Sequence, residues 1–419
     1  MARKRRKSQQ QKQNRTLHTE KLEDRIVFSA CAEVASEIHG ALSFTGNNHL
    51  YVATDYDDQI VVDFTSGDAG TIKRTSTING SPVVAPPVHF SYASLTAVAV
   101  PELNDPYLLI KGLKGDDTIT INNNGHAPRL PFQLPNPQSY PQSDFVNHVT
   151  VYGGEGKDTI FGSGWADYLN GGPGKDEIWD GGNDGDGQVQ LLLGGPGNDT
   201  LTGAPDGWEI ICGGSGDDTI RTKGTDPTAV SYVLGGPGND TIKGGSGYNE
   251  IYGGAGRDVI KGGPGYDYIF GGPGRDEIWG GSGNDIIYGG AAKDKIYGGD
   301  GKDEIFGGSG NDSIWGGAED DIIEGGNGND TLRGGAGTDS LYGQQGKDRL
   351  NGGSGIDYLY GGTERDQLWG GDDAVVDELW GQVGKDTFWQ QTTLQDNLND
   401  LQGGIDDLKW HTGNKEPWA

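Results

Sequence analysis

"GGPGRDEIWGGSGNDIIYGG", residues 271–290, holds two nine-residue units in one frame and opens a third. Each unit reads glycine pair, spacer, glycine, spacer, aspartate, spacer, isoleucine, aromatic. Glycine loses more conformational freedom on folding than any other residue, so a unit this rich in it needs glycine for its geometry. The frame runs far beyond this stretch. From Gly235 to Trp369 fifteen nonapeptides follow one another without a gap. Position 6 is aspartate in fourteen of them, with Asn249 the exception, and position 8 is isoleucine from Ile242 to Ile323, then leucine from Leu332 to Leu368.

Upstream the same frame returns at 153–161, 171–179, 194–202 and 213–221, and downstream at 381–389. The upstream units are separated by 9, 14, 10 and 13 residues, which end in apolar triplets such as "LLL" (191–193) and "YVL" (232–234). Insertions therefore fall in every second unit and leave the alternate ones intact. That pattern predicts a coil of two nonapeptides, 18 residues, with an unbroken edge and an interrupted one. The unbroken edge carries Asp158, Asp176, Asp199, Asp218, Asp240, Asp258, Asp276, Asp294, Asp312, Asp330, Asp348, Asp366 and Asp386. The interrupted edge is regular from Asp267 through Asp285, Asp303, Asp321, Asp339 and Asp357 to Asp377, with Asp167 an isolated early member.

Positions 1–6 are turn chemistry, because glycine reaches positive φ and lets carbonyls converge from both sides. Positions 7–9 form a short strand whose alternation sends position 8 inward. The expected fold is all-β: a parallel β-solenoid with a thin isoleucine and leucine core, preceded by an irregular β-rich region. One apolar stripe does not offset the ordering of so much backbone, at roughly 1–2 kcal/mol per residue, so the turns must contribute. Stacking brings successive position-6 carboxylates about 4.8 Å apart. Two unpaired carboxylates at that distance repel, whereas a hard cation between them, with glycine carbonyls completing its shell, joins the coils. Calcium takes six to eight such oxygens in flexible geometry; magnesium demands a tighter octahedron, and zinc would need His or Cys.

These units resemble the RTX, or haemolysin-type, nonapeptide GGxGxDxUx across residues 153–389. The resemblance implies a parallel β-roll with calcium ions between coils along both edges, export of the unfolded chain and folding on meeting extracellular calcium. It makes the aspartates named above the side-chain ligands, and carbonyls of glycines such as Gly272, Gly274, Gly281 and Gly283 the backbone ligands. Position 4 is Ala292, Glu319 and Glu364 in three units, where positive φ is strained.

The chain of 419 residues has 77 glycines, 32% apolar residues and a net charge of -29. Such an acidic surface disfavours nucleic acid and anionic lipid as partners, and no stretch of about 18 apolar residues could span a membrane. Two cysteines, Cys31 and Cys212, are too few for a disulfide framework. Residues 1–33 form a basic arm or targeting segment, in which "KLEDRIVFSA" (21–30) resembles a segment associated with export in planctomycete-type surface proteins. Residues 34–150 read as β-rich, 151–389 as the roll, and 390–419 as a closing segment and tail. Within 34–150, "GLKGDDTIT" (112–120) echoes the repeat with Asp117 at position 6, and Asp57, Asp58 and Asp63 read as turn residues at strand ends. Neither HExxH nor GxSxG occurs.

Outward position 9 is often aromatic: Tyr252, Phe270, Tyr288, Phe306, Tyr342 and Tyr360 on one sheet, broken by Glu324, and Trp279, Tyr297, Trp315 and Trp369 on the other. Such exposed ladders would either stabilise the sheets by stacking or present a platform to polysaccharide or a surface protein. The sum is a non-enzymatic, calcium-binding structural or adhesive protein, extracellular or at the cell surface. The alternative is a calcium-dependent module of an exported hydrolase- or epimerase-like protein, with any activity in residues 34–150.

Overall fold

The computed structural model describes residues 50–52, 57–66, 69–78, 81–84, 88–91, 108–111, 115, 117–122, 149–163, 167–182, 189–205, 208–371, 375–391, 397–399 and 407–411. The basic arm, the proline-rich stretch near 127–141 and most of the tail lie outside these residues.

Two parallel sheets face each other. The front sheet has 16 strands in chain order, from Leu50–Val52 through Leu108–Lys111 and Val149–Tyr152 to Glu378–Val383 and Asn397–Asn399. The back sheet runs from Asp57–Ser66 through Thr118–Asn122 and Thr159–Phe161 to Thr387–Gln391 and Asp407–His411. The chain alternates between the two, so each circuit adds one rung to both. Beyond Asp57–Ser66 the back sheet continues antiparallel through Ala69–Ile78, which pairs with Ser81–Val84 and Val88–Ser91. Asp57, Asp58 and Asp63 thus lie within a strand, not in turns; their backbones join the ladder to Thr77, Ser76 and Thr71.

Register follows from position 8. On the front sheet Ile251, Ile269, Ile287 and Ile305 stack in line; on the back sheet Ile260, Ile278, Ile296 and Ile314 do the same. All eight are fully buried, and the core continues as one stripe from Ile119 to Phe388. A one-residue slip would turn every core residue outward, so the strict spacing holds the register. Insertions fall between a back-sheet strand and the next front-sheet strand, after Phe161, Trp179, Thr202 and Arg221, so all of them interrupt the same edge.

Glycine at positions 2 and 4 is dictated by the stacking. Gly272 has φ 108°, and a Cβ there would lie 2.2 Å from the Gly254 carbonyl oxygen; at Gly328 it would lie 1.3 Å from that of Gly310. The expected strain at position 4 is present, with Ala292 at φ 84°, Glu319 at 78° and Glu364 at 83°. Two further non-glycines, Gln344 at 75° and Gln382 at 69°, occupy position 2. Left-handed backbone at a residue with a side chain costs about 1–2 kcal/mol. Glu319→Gly is therefore expected to stabilise the folded roll by about 1 kcal/mol, and Gly328→Ala to destabilise it by about 3 kcal/mol. Urea unfolding of the calcium-loaded proteins measures both.

Candidate metal centre

Each nonapeptide turn ends by folding its aspartate back over itself. Every position-6 aspartate from Asp158 to Asp386 on the unbroken edge is 0–2% exposed, as are Asp267 to Asp377 on the interrupted edge. One carboxylate oxygen joins the coils. The backbone N–H of Asp258 donates to Asp276 Oδ1, that of Asp276 to Asp294 Oδ1 and that of Asp294 to Asp312 Oδ1, each at 2.8 Å. The same bond recurs along the whole unbroken edge, from Asp117, whose N–H donates to Asp158 Oδ1, to Asp366 and Asp386. On the interrupted edge it runs from Asn249 through Asp267, Asp285, Asp303, Asp321, Asp339 and Asp357 to Asp377. Both expected columns are thus assembled, and Asp117, seen as an echo of the repeat, heads the first.

The other oxygen is the informative one. In Asp199, Asp218, Asp240, Asp258, Asp276, Asp294, Asp312, Asp330, Asp348 and Asp366, and in Asp267, Asp285, Asp303, Asp321 and Asp339, Oδ2 is buried with no hydrogen-bond partner among the described residues. A glycine at position 1 leaves room beside it. A Cβ on Gly271 would lie 2.7 Å from Asp276 Oδ2 and 2.6 Å from the Gly289 carbonyl oxygen; one on Gly280 would lie 2.4 Å from Asp285 Oδ2 and 2.7 Å from that of Gly298. A carboxylate oxygen and a carbonyl from the next coil therefore approach the same small space, turn after turn. The carbonyls expected to act as ligands also line the stack: those of Gly281 and Gly283 face Gly299 and Gly301, that of Gly272 faces Gly290, and Gly274 lies over the Gly256 carbonyl. No three His, Cys, Asp or Glu side chains converge among the described residues. Any shell must then be built from one or two carboxylates and backbone oxygens, a donor set suited to calcium and not to zinc.

Burial controls the electrostatics. It pushes Asp276 and Asp285 up to about 7, and Asp294, Asp321 and Asp366 to about 8, against the lowering effect of the inter-coil N–H bonds. Neighbouring carboxylates in the column raise these groups further. An ionised column in this environment is unstable without positive charge.

The interrupted edge holds residues that the repeat frame does not reveal. Gln190, Glu209 and Ser231 stand in register with Asn249, Asp267 and the later aspartates. Gln190 Oε1 accepts the Asp167 N–H at 2.7 Å, as an aspartate Oδ1 would. Glu209 takes the Ser231 hydroxyl at 2.7 Å and the Ala204 N–H at 3.1 Å, filling its own turn with its own side chain. Asn249 donates through Nδ2 to Asp267 Oδ1 at 2.7 Å. Their signal in the sequence is position: each immediately precedes the apolar triplet of its strand.

The aromatic ladders are formed, and they are less exposed than expected. Tyr252 and Trp369 are buried and the other rings half-buried. Tyr252, Phe270, Tyr288 and Phe306 stack in sequence at 4.7–4.9 Å between centroids. Trp279, Tyr297 and Trp315 stack at 5.6 and 4.5 Å, with Lys261 over one end and Arg333 over the other. Glu324 interrupts the front ladder, where its carboxylate accepts a 2.7 Å bond from Gln344 Nε2. Gln344 replaces a glycine at positive φ and so places a donor beside a carboxylate whose pKa burial raises.

The sequence model of the RTX calcium-binding nonapeptide repeat matches residues 152–186, 184–220, 234–269, 264–296, 297–332, 324–359, 342–376 and 351–388, together more than half of the chain. The chain belongs to the RTX calcium-binding nonapeptide repeat family. Within 152–388 the one interval left unmatched, 221–233, contains the last long insertion of the interrupted edge. No curated protein matches the chain. Among solved structures, a hyperactive, Ca2+-dependent, β-helical antifreeze protein from an Antarctic bacterium is 21% identical, with 60% of this chain and 80% of that one covered and a TM-score of 0.42. Among the described residues of this RTX chain no helix is long and apolar enough to cross a membrane.

Carboxyls with raised folded-state pKa values favour the metal-free fold only while protonated. Their contribution is fully present below the unfolded aspartate value of about 3.9 and is lost as pH rises through about 6–8. In excess chelator, the protein is expected to gain β-structure on acidification from pH 8 to pH 5. Far-UV circular dichroism measures the change.

Proposed function

We propose that this RTX protein is a secreted or cell-surface structural and adhesive element whose roll closes on binding many calcium ions. The position-6 aspartates serve as the side-chain ligands. The observation that carries this reading is the double column of buried carboxylates, each with Oδ1 bonded to the neighbouring coil and, in fifteen of them, Oδ2 left for something outside the hydrogen-bond network. Glycine carbonyls, including those of Gly272, Gly274, Gly281 and Gly283, complete the shells. Calcium bound there supplies the positive charge that ionised, stacked carboxylates require. The chain's own part is to hold the oxygens in line and exclude water from them.

The roll is read as non-enzymatic because its aspartates are enclosed and committed to inter-coil bonds, out of reach of a substrate. Export and an extracellular location fit the same chemistry. Extracellular calcium modules work at about 10⁻⁴–10⁻³ M, a concentration at which folding would be withheld inside the cell and triggered outside it. The acidic repeats would stay expanded through self-repulsion until calcium arrives.

Titration of the chelated protein at pH 7.5 is expected to produce a cooperative rise in β-sheet circular dichroism with a midpoint at about 10⁻⁴–10⁻³ M calcium, and little response to equal magnesium. A protein already β-rich in chelator and silent to calcium would falsify the reading. Asp294→Asn keeps the acceptor for the Asp276 N–H but removes a buried charge. It is expected to stabilise the chelated protein while weakening calcium binding at that site about tenfold, or 1.4 kcal/mol, as read by isothermal titration calorimetry.

A further inference from the structure

The cations of this acidic chain are not spread evenly. Position 5 of the unbroken edge is Arg257, Arg275 and Lys293 in three successive coils, and Lys347, Arg365 and Lys385 in another three. All six are exposed. Strand spacing sets the members of each triplet about 4.8 Å apart along the solenoid axis, and Asn311 and Asn329 hold the same position in the two coils between the triplets. Arg257, Arg275, Lys293, Lys347 and Arg365 form no ion pair among the described residues.

Arg275 and Lys293 each lower the buried carboxyl one coil on, Asp294 and Asp312, but balancing buried aspartates does not by itself require such a file. The interrupted edge buries its aspartates equally deeply from Asp267 onward, yet its position 5 is Tyr266, Asn284, Lys302, Asp320, Thr338 and Ile356. Its one lysine, Lys302, is ion-paired with Asp320 of the next coil. The sheets show the same asymmetry. Outward positions 7 and 9 of the front sheet bear no Lys or Arg from Tyr168 to Trp380, whereas the back sheet presents several, including Lys261 and Arg333 at the ends of its aromatic stack. A molecule with net charge -29 thus gathers most of the roll's cations on one face, the unbroken edge with the back sheet, where Glu277 and Glu364 are the outward acids between Val259 and Trp389.

We propose that this face binds a linear polyanionic polysaccharide laid along the solenoid axis, one that carries carboxylate or sulfate on successive sugars. The inference rests on the extracellular, calcium-folded reading, because the file of cations exists only once the coils are stacked. Two short rows of exposed cations, five of the six without an ion pair among the described residues, complement a polymer with charges in line, and the surrounding acidity confines such a polymer to this face. Neutral sugars find little here, since the ring faces they would stack on are covered by neighbouring rings or by Lys261 and Arg333. The same covering disfavours single-stranded nucleic acid, which depends on open aromatic faces for its bases.

The test is binding of the calcium-loaded protein to carboxymethylcellulose, to hydroxyethylcellulose as a neutral polymer on the same backbone, and to single-stranded oligothymidine, by biolayer interferometry at two salt concentrations. Binding to carboxymethylcellulose alone, weakened by salt, is expected. The quadruple variant Arg275→Gln, Lys293→Gln, Lys347→Gln, Arg365→Gln should lose at least tenfold in affinity while its calcium-induced circular dichroism is retained; Lys302→Gln should bind as the wild type does. A quadruple Arg→Lys and Lys→Arg exchange, which preserves charge, keeps binding and serves as the comparison if the neutral variant folds poorly. Equal binding to the neutral polymer, tighter binding to oligothymidine, no binding to carboxymethylcellulose, or insensitivity to the four neutralisations overturns the proposal. Circular dichroism of the same samples separates that result from failure of the calcium-folding reading, in which the wild type would not gain β-structure at all.

Discussion

Burying a carboxylate while leaving one of its oxygens unbonded is the constraint on which this fold turns. Oδ1 of each aspartate accepts the N–H of its counterpart one coil earlier, which ties the stack together. Oδ2 faces a space that glycine keeps open, and burial, with the neighbouring carboxylates adding to it, lifts the Asp294 carboxyl to about 8. A column of this kind has two stable conditions, protonated or charge-compensated by a cation. The thin core does not decide between them, because a single stripe of isoleucine and leucine contributes the same apolar burial in either case. Fold and metal are therefore coupled through one repeated side chain.

Glycine is the other half of that constraint. Successive coils approach so closely that the carbonyl at one turn passes over the α-carbon of the next, and a methyl group there would overlap it. Where the chain departs from glycine, the departure costs strain, and in one case the structure supplies a reason. Gln344 donates to Glu324, the one acidic residue set into the front aromatic ladder. Nothing in the structure explains Gln382.

The aromatic ladders show how periodicity and packing divide the work. Position 9 placed the rings on the outside, and stacking then turned each face toward its neighbour. What remains exposed is ring edge, a poor platform for neutral sugars. The cations over the Trp279–Tyr297–Trp315 stack belong to adjacent coils, so charge and aromatic surface are joined on the back sheet by geometry alone.

The sequence by itself determined the coil length, the inward position, both aspartate columns and the edge that bears the insertions, because each follows from a strict period of nine. Position-4 strain at Ala292, Glu319 and Glu364 was equally legible, since φ at that position is a local property. Gln190, Glu209 and Ser231 were not, because insertions of unequal length hide their register and only strand pairing restores it. Residues 34–150 were readable as β-rich, but the entry of Leu50–Val52, Asp57–Ser66, Leu108–Lys111 and Thr118–Asn122 into the same two sheets rests on contacts far apart in the chain. Tertiary structure also decided which oxygen of each carboxylate is bonded and that the cations share one face. Those outcomes depend on how one coil sits on the next, a distance and an orientation that no single repeat contains.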